Sequence, residues 1–148
     1  MCSGRLNREV GRSKTRLEIK AHPVCKGKVE GEAVVYKGAF SFLGDLDPLT
    51  GKVPVPGHEL QGESLAGKVF VFTTGKGSSG GPRFAWEAKR NGNAPVAIIC
   101  LESEPVLSCG VIAAEIPTVD QPEKDPFEYI KTGDHVTVDA IEGKIVIT

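Results

Sequence analysis

The chain has little that would tie it to a membrane, to nucleic acid or to a metal of its own. No apolar run approaches the roughly 18–20 residues that a membrane-spanning helix needs. The N-terminus also lacks the apolar segment of a secretory signal, so the expectation is a soluble, intracellular protein of the cytoplasm. Neither sign of charge is in excess: 18 Lys and Arg stand against 19 Asp and Glu in 148 residues. That leaves no basic footprint for nucleic acid, and an aromatic content of 6% argues against a base-stacking platform. The four cysteines, Cys2, Cys25, Cys100 and Cys109, make no C-x-x-C pair and have no histidine at metal-ligand spacing, so no metal site is expected from them. Cys100 sits in an apolar strand and Cys109 in a helix, where both read as small buried hydrophobes with reduced thiols.

What is present is enough apolar residue, 40%, to bury one ordinary core. Residues 1–16 carry Arg5, Arg8, Arg12, Lys14 and Arg16 with almost nothing to pack, which predicts a solvated arm before a single domain at 17–148. Leu17 to Ala21 and Lys28 to Tyr36 read as strands that form a ribbon, joined through a turn-rich segment from His22 to Gly27 in which Pro23 blocks a continuous ladder. Lys37 to Gly67 is rich in Gly, Pro and Asp. A structureless loop of that length is unusual in a compact domain, so Phe40, Phe42 and Leu43 are expected to cover a partner or substrate. Asp45, Asp47 and His58 are its polar candidates, with a surface position the commoner fate of a lone histidine.

From Lys68 the pattern becomes α/β. Strands are expected over Lys68 to Thr74 and Val96 to Leu101, with a helix between them that starts at Pro82 and stops near Gly92. Ser103-Glu104-Pro105 opens a second helix, Ile116 to Val119 is a further strand, and Asp125-Pro126 starts a brief helical turn with Phe127 and Ile130 inward. His135 to Asp139 and Lys144 to Thr148 alternate apolar and polar as a closing ribbon, which turns His135 outward.

Between the first strand and its helix lies Thr73-Thr74-Gly75-Lys76-Gly77-Ser78-Ser79-Gly80-Gly81-Pro82. A glycine-rich bend at a helix start leaves backbone N–H groups pointing one way, which favours an anion there. Several chemistries fit the letters. Gly75-x-Gly77-x-x-Gly80 with Glu102 near the next strand end satisfies a dinucleotide fingerprint. Gly77-x-Ser79-x-Gly81 matches a nucleophile elbow, with Asp120 or Asp125 and then His135 in hydrolase order. A serine oxygen held by the loop's N–H groups as a general base is a third reading, and a plain glycine turn with a serine cap is the fourth.

Taken in order, Asp47-Pro48-x-Thr50-Gly51, His58-x-Leu60-x-Gly62-x-Ser64-x-x-Gly67-Lys68-Val69 and Gly75-Lys76-Gly77-Ser78-Ser79 resemble the small subunit of aconitase X enzymes. Asn91-Gly92-x-Ala94-Pro95, Glu104-Pro105, Ile116-Pro117-x-Val119-Asp120 and Thr132-Gly133-Asp134 continue that pattern. The resemblance implies an α/β domain of the swivelling β/β/α kind that aconitases place over an iron-sulfur site. Here that domain is a separate chain paired with a large catalytic subunit that holds the cluster. It implies a hydro-lyase in which Ser78 accepts the proton of a small anionic substrate, with Ser79 and Gly80 among the substrate-binding candidates; physically, the N–H groups of Ser79 to Gly81 and the helix start would stabilise the anionic serine oxygen. Lys76 and Arg83 either grip the substrate's anionic group or form a solvated face. Aconitase has an arginine where this chain has Gly80. The Ser78-Ser79-Gly80-Gly81-Pro82 form resembles the bacterial cis-3-hydroxy-L-proline dehydratases more than the archaeal phosphomevalonate dehydratases, which are the alternative. A non-catalytic partner domain and a dinucleotide-binding module remain as readings from other classes.

Overall fold

The computed structural model describes residues 17–75 and 81–148; the expected arm at 1–16 lies outside them. In chain order the strands are β1 (Leu17–Lys20), β2 (His22–Cys25), β3 (Lys28–Val35), β4 (Val69–Thr74), β5 (Ala97–Glu102), β6 (Thr118–Asp120), β7 (His135–Asp139) and β8 (Lys144–Ile147). The helices are α1 (Phe42–Asp45), α2 (Gly81–Arg90), α3 (Pro105–Ala114) and α4 (Pro126–Tyr129). The strand order is β1-β8-β7-β3-β4-β5-β6-β2. One long strand, β3, joins two halves of different character: Lys28 to Glu32 pair antiparallel with β7, whereas Ala33 to Val35 pair parallel with β4.

Three layers result, and the residue alternation in β4 and β5 explains them. Both strands are apolar on both faces, as a strand must be when each face is covered. Val69, Val71, Ala97 and Ile99 point to one side, where they pack with Ile19, Val136, Val138, Ile145 and Ile147 of the antiparallel half. Phe70, Phe72, Ile98 and Cys100 point to the other, against Ala85 and Ala88 of α2 and Leu107 and Val111 of α3. The architecture is the expected α/β fold in its β/β/α form, with the parallel strands as the middle layer.

The expected ribbon of the first two strands does not form. β1 pairs instead with β8, and the stretch expected as a turn is itself strand β2, antiparallel to β6 at the sheet's far edge. β1 and β2 are separated by Ala21 alone, whose N–H donates to the Gly143 carbonyl at 2.9 Å, so the chain crosses between layers at that residue. Pro23 is tolerated because an edge strand needs hydrogen bonds on one side only, and the register slips between Pro23 and Cys25.

The long segment before β4 also corrects an expectation. Phe40 and Phe42 do not face a partner; both are buried, with Leu46, Val53, Leu60 and Leu65, in the helix-side core. Phe40 lies edge-on to Phe70 at 4.7 Å between ring centroids. The side chain of Leu43 lies outside what is described. Cys109 is exposed, not buried as expected, because it occupies the outer face of α3. The remaining helix signals are met: Glu104 caps α3 ahead of Pro105, Asp125 caps α4 ahead of Pro126, and Gly92 takes φ +78° just after α2.

Candidate active site

Parallel strands with helices following them collect loop residues at the strands' C-terminal ends. Here β4 ends at Thr74 opposite Glu102 of β5, and β6 ends at Asp120 opposite His22 of β2. The serine loop leaves this rim from Gly75 and the chain re-enters as α2 at Gly81. Lys76, Ser78, Ser79 and Gly80, the candidates inside the loop, lie outside the described residues. Arg83 is described: it sits exposed in the first turn of α2, on the end of the helix whose free N–H groups and dipole favour negative charge.

The departure point of the loop is held from two sides. On one, Gly75 bridges to Phe40, the Phe40 N–H donates to the Thr74 carbonyl at 3.0 Å, and the Thr73 N–H donates to the Gly38 carbonyl at 3.0 Å. On the other, the Glu104 carboxylate presses against Gly75. That carboxylate accepts from Leu107 N–H at 2.7 Å through Oε1 and from Val106 N–H at 2.9 Å through Oε2, so the cap of α3 also stands against Gly75, where the loop begins.

Further along the rim Asp120 is buried and accepts three hydrogen bonds. Ser103 donates its hydroxyl at 2.7 Å and its N–H at 3.2 Å to Oδ2, and His22 Nδ1 meets Oδ1 at 2.8 Å. Asp120 therefore orients an exposed histidine and a serine. His135 is elsewhere, on the outer face of the antiparallel half, where its Nε2 lies 3.3 Å from Glu30. Asp125 caps α4 through the Phe127 N–H at 2.9 Å. The structure thus does not bring together the histidine and carboxylates that an elbow-type hydrolase would need.

Asp45 and Asp47 shape turns: Ser41 N–H donates to Asp45 Oδ2 at 3.0 Å, and Leu49 N–H to Asp47 Oδ1 at 2.9 Å. His58 is half-buried, not a simple surface residue. Its Nδ1 accepts from Leu60 N–H at 2.9 Å, its ring lies 4.6 Å from that of Tyr36, and its Nε2 is buried with no hydrogen-bond partner among the described residues.

The described residues do not suit an iron-sulfur cluster. Cys100 is buried in β5, with its Sγ 3.9 Å from the Val119 carbonyl. Burial pushes its thiol pKa up to about 12, far from the thiolate that a cluster requires. Cys25 is raised too, first by burial and then by the Glu115 charge. Among the described residues no three His, Cys, Asp or Glu side chains meet at a metal-binding distance.

Sequence reasoning placed a strand end and a helix start on either side of the loop but missed Glu104 against Gly75, and it missed the His22–Asp120 pair. The Glu104-Pro105 step did mark a helix start. Nothing local marks a pair 98 positions apart.

Comparison with known proteins agrees with this architecture. The family model described as the aconitase X swivel domain matches residues 18–147. The chain is 46% identical over 129 residues to the phosphomevalonate dehydratase small subunit of Methanosarcina acetivorans, covering 87% of this chain and 90% of that one. It is 44% identical over 132 residues to the same-named subunit of Methanocella arvoryzae, covering 89% and 100%. A crystal structure of Thermococcus kodakaraensis aconitase X in its holo form superposes with a TM-score of 0.84 at 40% identity, covering 89% of this chain and 98% of that one. These relatives' names favour the phosphomevalonate alternative over the cis-3-hydroxy-L-proline reading drawn from Ser78-Ser79-Gly80-Gly81-Pro82. The chain belongs to the aconitase X swivel-domain family and is the small subunit of a hydro-lyase of that type.

Proposed function

We propose that this chain is the small subunit of a phosphomevalonate dehydratase and that it brings Ser78 as the base to a site shared with a large subunit. The observation that carries the reading is 44% identity spanning the whole of a relative of that name. The iron-sulfur cluster is assigned to the large subunit, and the complex to the cytoplasm; no helix among the described residues is long and apolar enough to cross a membrane.

The work left to this chain is proton abstraction and anion binding. Dehydration moves a proton from carbon to a base while the hydroxyl departs with its bonding electrons from the neighbouring carbon. Ser78 Oγ takes that proton. A serine oxygen does this only if its anionic form is stabilised, a role this reading gives to the N–H groups of Ser79 to Gly81 and to the positive end of α2. The substrate is a small anion, so Lys76 and Arg83 serve as the rim cations that hold its charged group.

The test is reconstitution with the large subunit and assay on both phosphomevalonate and cis-3-hydroxy-L-proline. Turnover of phosphomevalonate is expected, and Ser78→Ala should lower kcat by at least ~10²-fold, the usual cost of losing a general base, with KM and subunit pairing little changed. Ser79→Ala should be milder. Activity confined to the proline substrate would overturn the substrate assignment. Full turnover by an intact Ser78→Ala complex would make this chain a non-catalytic partner.

A further inference from the structure

We infer that Glu104 is the positioning residue of the serine loop, setting where it leaves β4 and hence where the base sits; the effect on catalysis rests on the proposed role of Ser78. Two observations meet at Gly75. The first is that Glu104 is itself immobilised. Both carboxylate oxygens are taken by the free N–H groups of Val106 and Leu107, its carbonyl accepts from Ser108 N–H at 3.0 Å, and Pro105 fixes the first helical residue.

The second is that Gly75 has no room on that side. A Cβ there would fall 3.0 Å from Leu107 Cβ and 3.1 Å from Glu104 Cδ, and nearer still to Oε1. The opposite side is closed by the Phe40 bridge, and the Phe40 ring is anchored in the aromatic cluster. Gly75 is thus clamped between a buried phenylalanine segment and a helix cap. A cap alone requires a side-chain oxygen that reaches the first turn, and Asp does that at least as well as Glu. The longer side chain is what brings the carboxylate against Gly75.

Glu104→Asp separates the two roles. In the reconstituted complex it should keep the cap, and so the unfolding midpoint, yet withdraw the wall. We expect kcat to fall at least about tenfold, since small misplacements of a catalytic group are costly, with KM little changed. Amides at 75–80 should exchange faster with solvent. Asp125→Ala, which removes the cap of α4, is the reverse control: a lower midpoint, with kcat and exchange at 75–80 unchanged. Gly75→Ala should lower turnover less in the Glu104→Asp background than alone, because the shorter side chain vacates part of the space. The inference is overturned if Glu104→Asp leaves kcat and exchange at 75–80 as in wild type, or if Asp125→Ala loosens that loop equally. If the wild-type complex does not turn over phosphomevalonate, the proposed function fails; the exchange comparison still decides the role of Glu104.

Discussion

The two ends of the parallel strands β4, β5 and β6 are built from the same backbone and to opposite purposes. At the C-terminal end stand Thr74, Ser103, Glu104 and Asp120, with His22 beside them, and hydrogen bonds there run largely through side chains. At the N-terminal end the neighbours are tied backbone to backbone: Gly67 N–H to Ala94 at 3.1 Å, Val96 N–H to Lys68 at 2.8 Å, and Ile98 N–H to Pro117 at 2.9 Å. A shallow, largely apolar groove between Val29, Pro95, Val96 and Pro117 marks that end.

The helices explain the asymmetry. α2 and α3 begin at the C-terminal end, so their unpaired N–H groups face it and favour carboxylates and substrate anions. They finish at the other end with unpaired carbonyls. There Lys89 Nζ donates to Ala114 and Glu115 carbonyls at 3.2 and 2.9 Å, closing α3. Chemistry therefore has electrostatic help at one end, and the other is free to be stapled shut. Even the glycines differ: Gly75 is required by lack of space, whereas Gly67 has nothing within 4 Å of its Cβ position and is required by its φ of +72°.

This contrast can be broken most severely by truncating one buried side chain near each end. Phe40→Ala and Ile116→Ala each remove a fully buried residue and should cost about 3–5 and 2–5 kcal/mol of stability, respectively, measured by denaturant unfolding. Under conditions where both remain folded, only Phe40→Ala should lower turnover of the complex, since it releases the segment that holds Gly75. Equal turnover losses would erase the distinction between the ends.

A smaller effect is expected at Gly67. Replacing it with alanine forces a side chain into the left-handed region at a cost of ~1 kcal/mol, with kcat unchanged; a drop in kcat at full folding would show that strain travels along β4 to the rim.

The smallest concerns acid. Asp139, paired with Lys28 at the start of β3, has its pKa held below the usual carboxylate value, first by the Glu142 N–H and also by that of Ile141 and the charges of Lys28 and Lys144, against the opposing effect of burial. A depressed folded-state pKa means stability that is fully present above the unfolded carboxyl's value of ~4 and lost as pH falls through the lower folded one. Asp139→Asn should flatten the acid limb of the stability curve and leave turnover near neutral pH untouched. An unchanged acid limb would remove Asp139 from the account.

Much of the fold was legible because its signals are local. The continuous apolar runs of β4 and β5, Glu104-Pro105 and Asp125-Pro126 as helix starts, and Gly92 as a helix stop each depend on a few adjacent residues whose backbone preferences act wherever they are placed. The place of the serine loop, between the end of β4 and the start of α2, was legible for the same reason, and the ordered motifs around it identified the family. The tertiary structure alone decided what depends on residues meeting across the chain. β1 chose β8 over β3 because the long strand's early residues pair with β7, and β2 became an edge strand despite Pro23. Phe40 and Phe42 turned inward because Phe70 and Phe72 offered them a surface, and Asp120 found His22 across 98 positions. Strand pairing and burial depend on which surfaces the whole chain brings together, and so no single stretch, read by itself, contains Glu104 closing on Gly75.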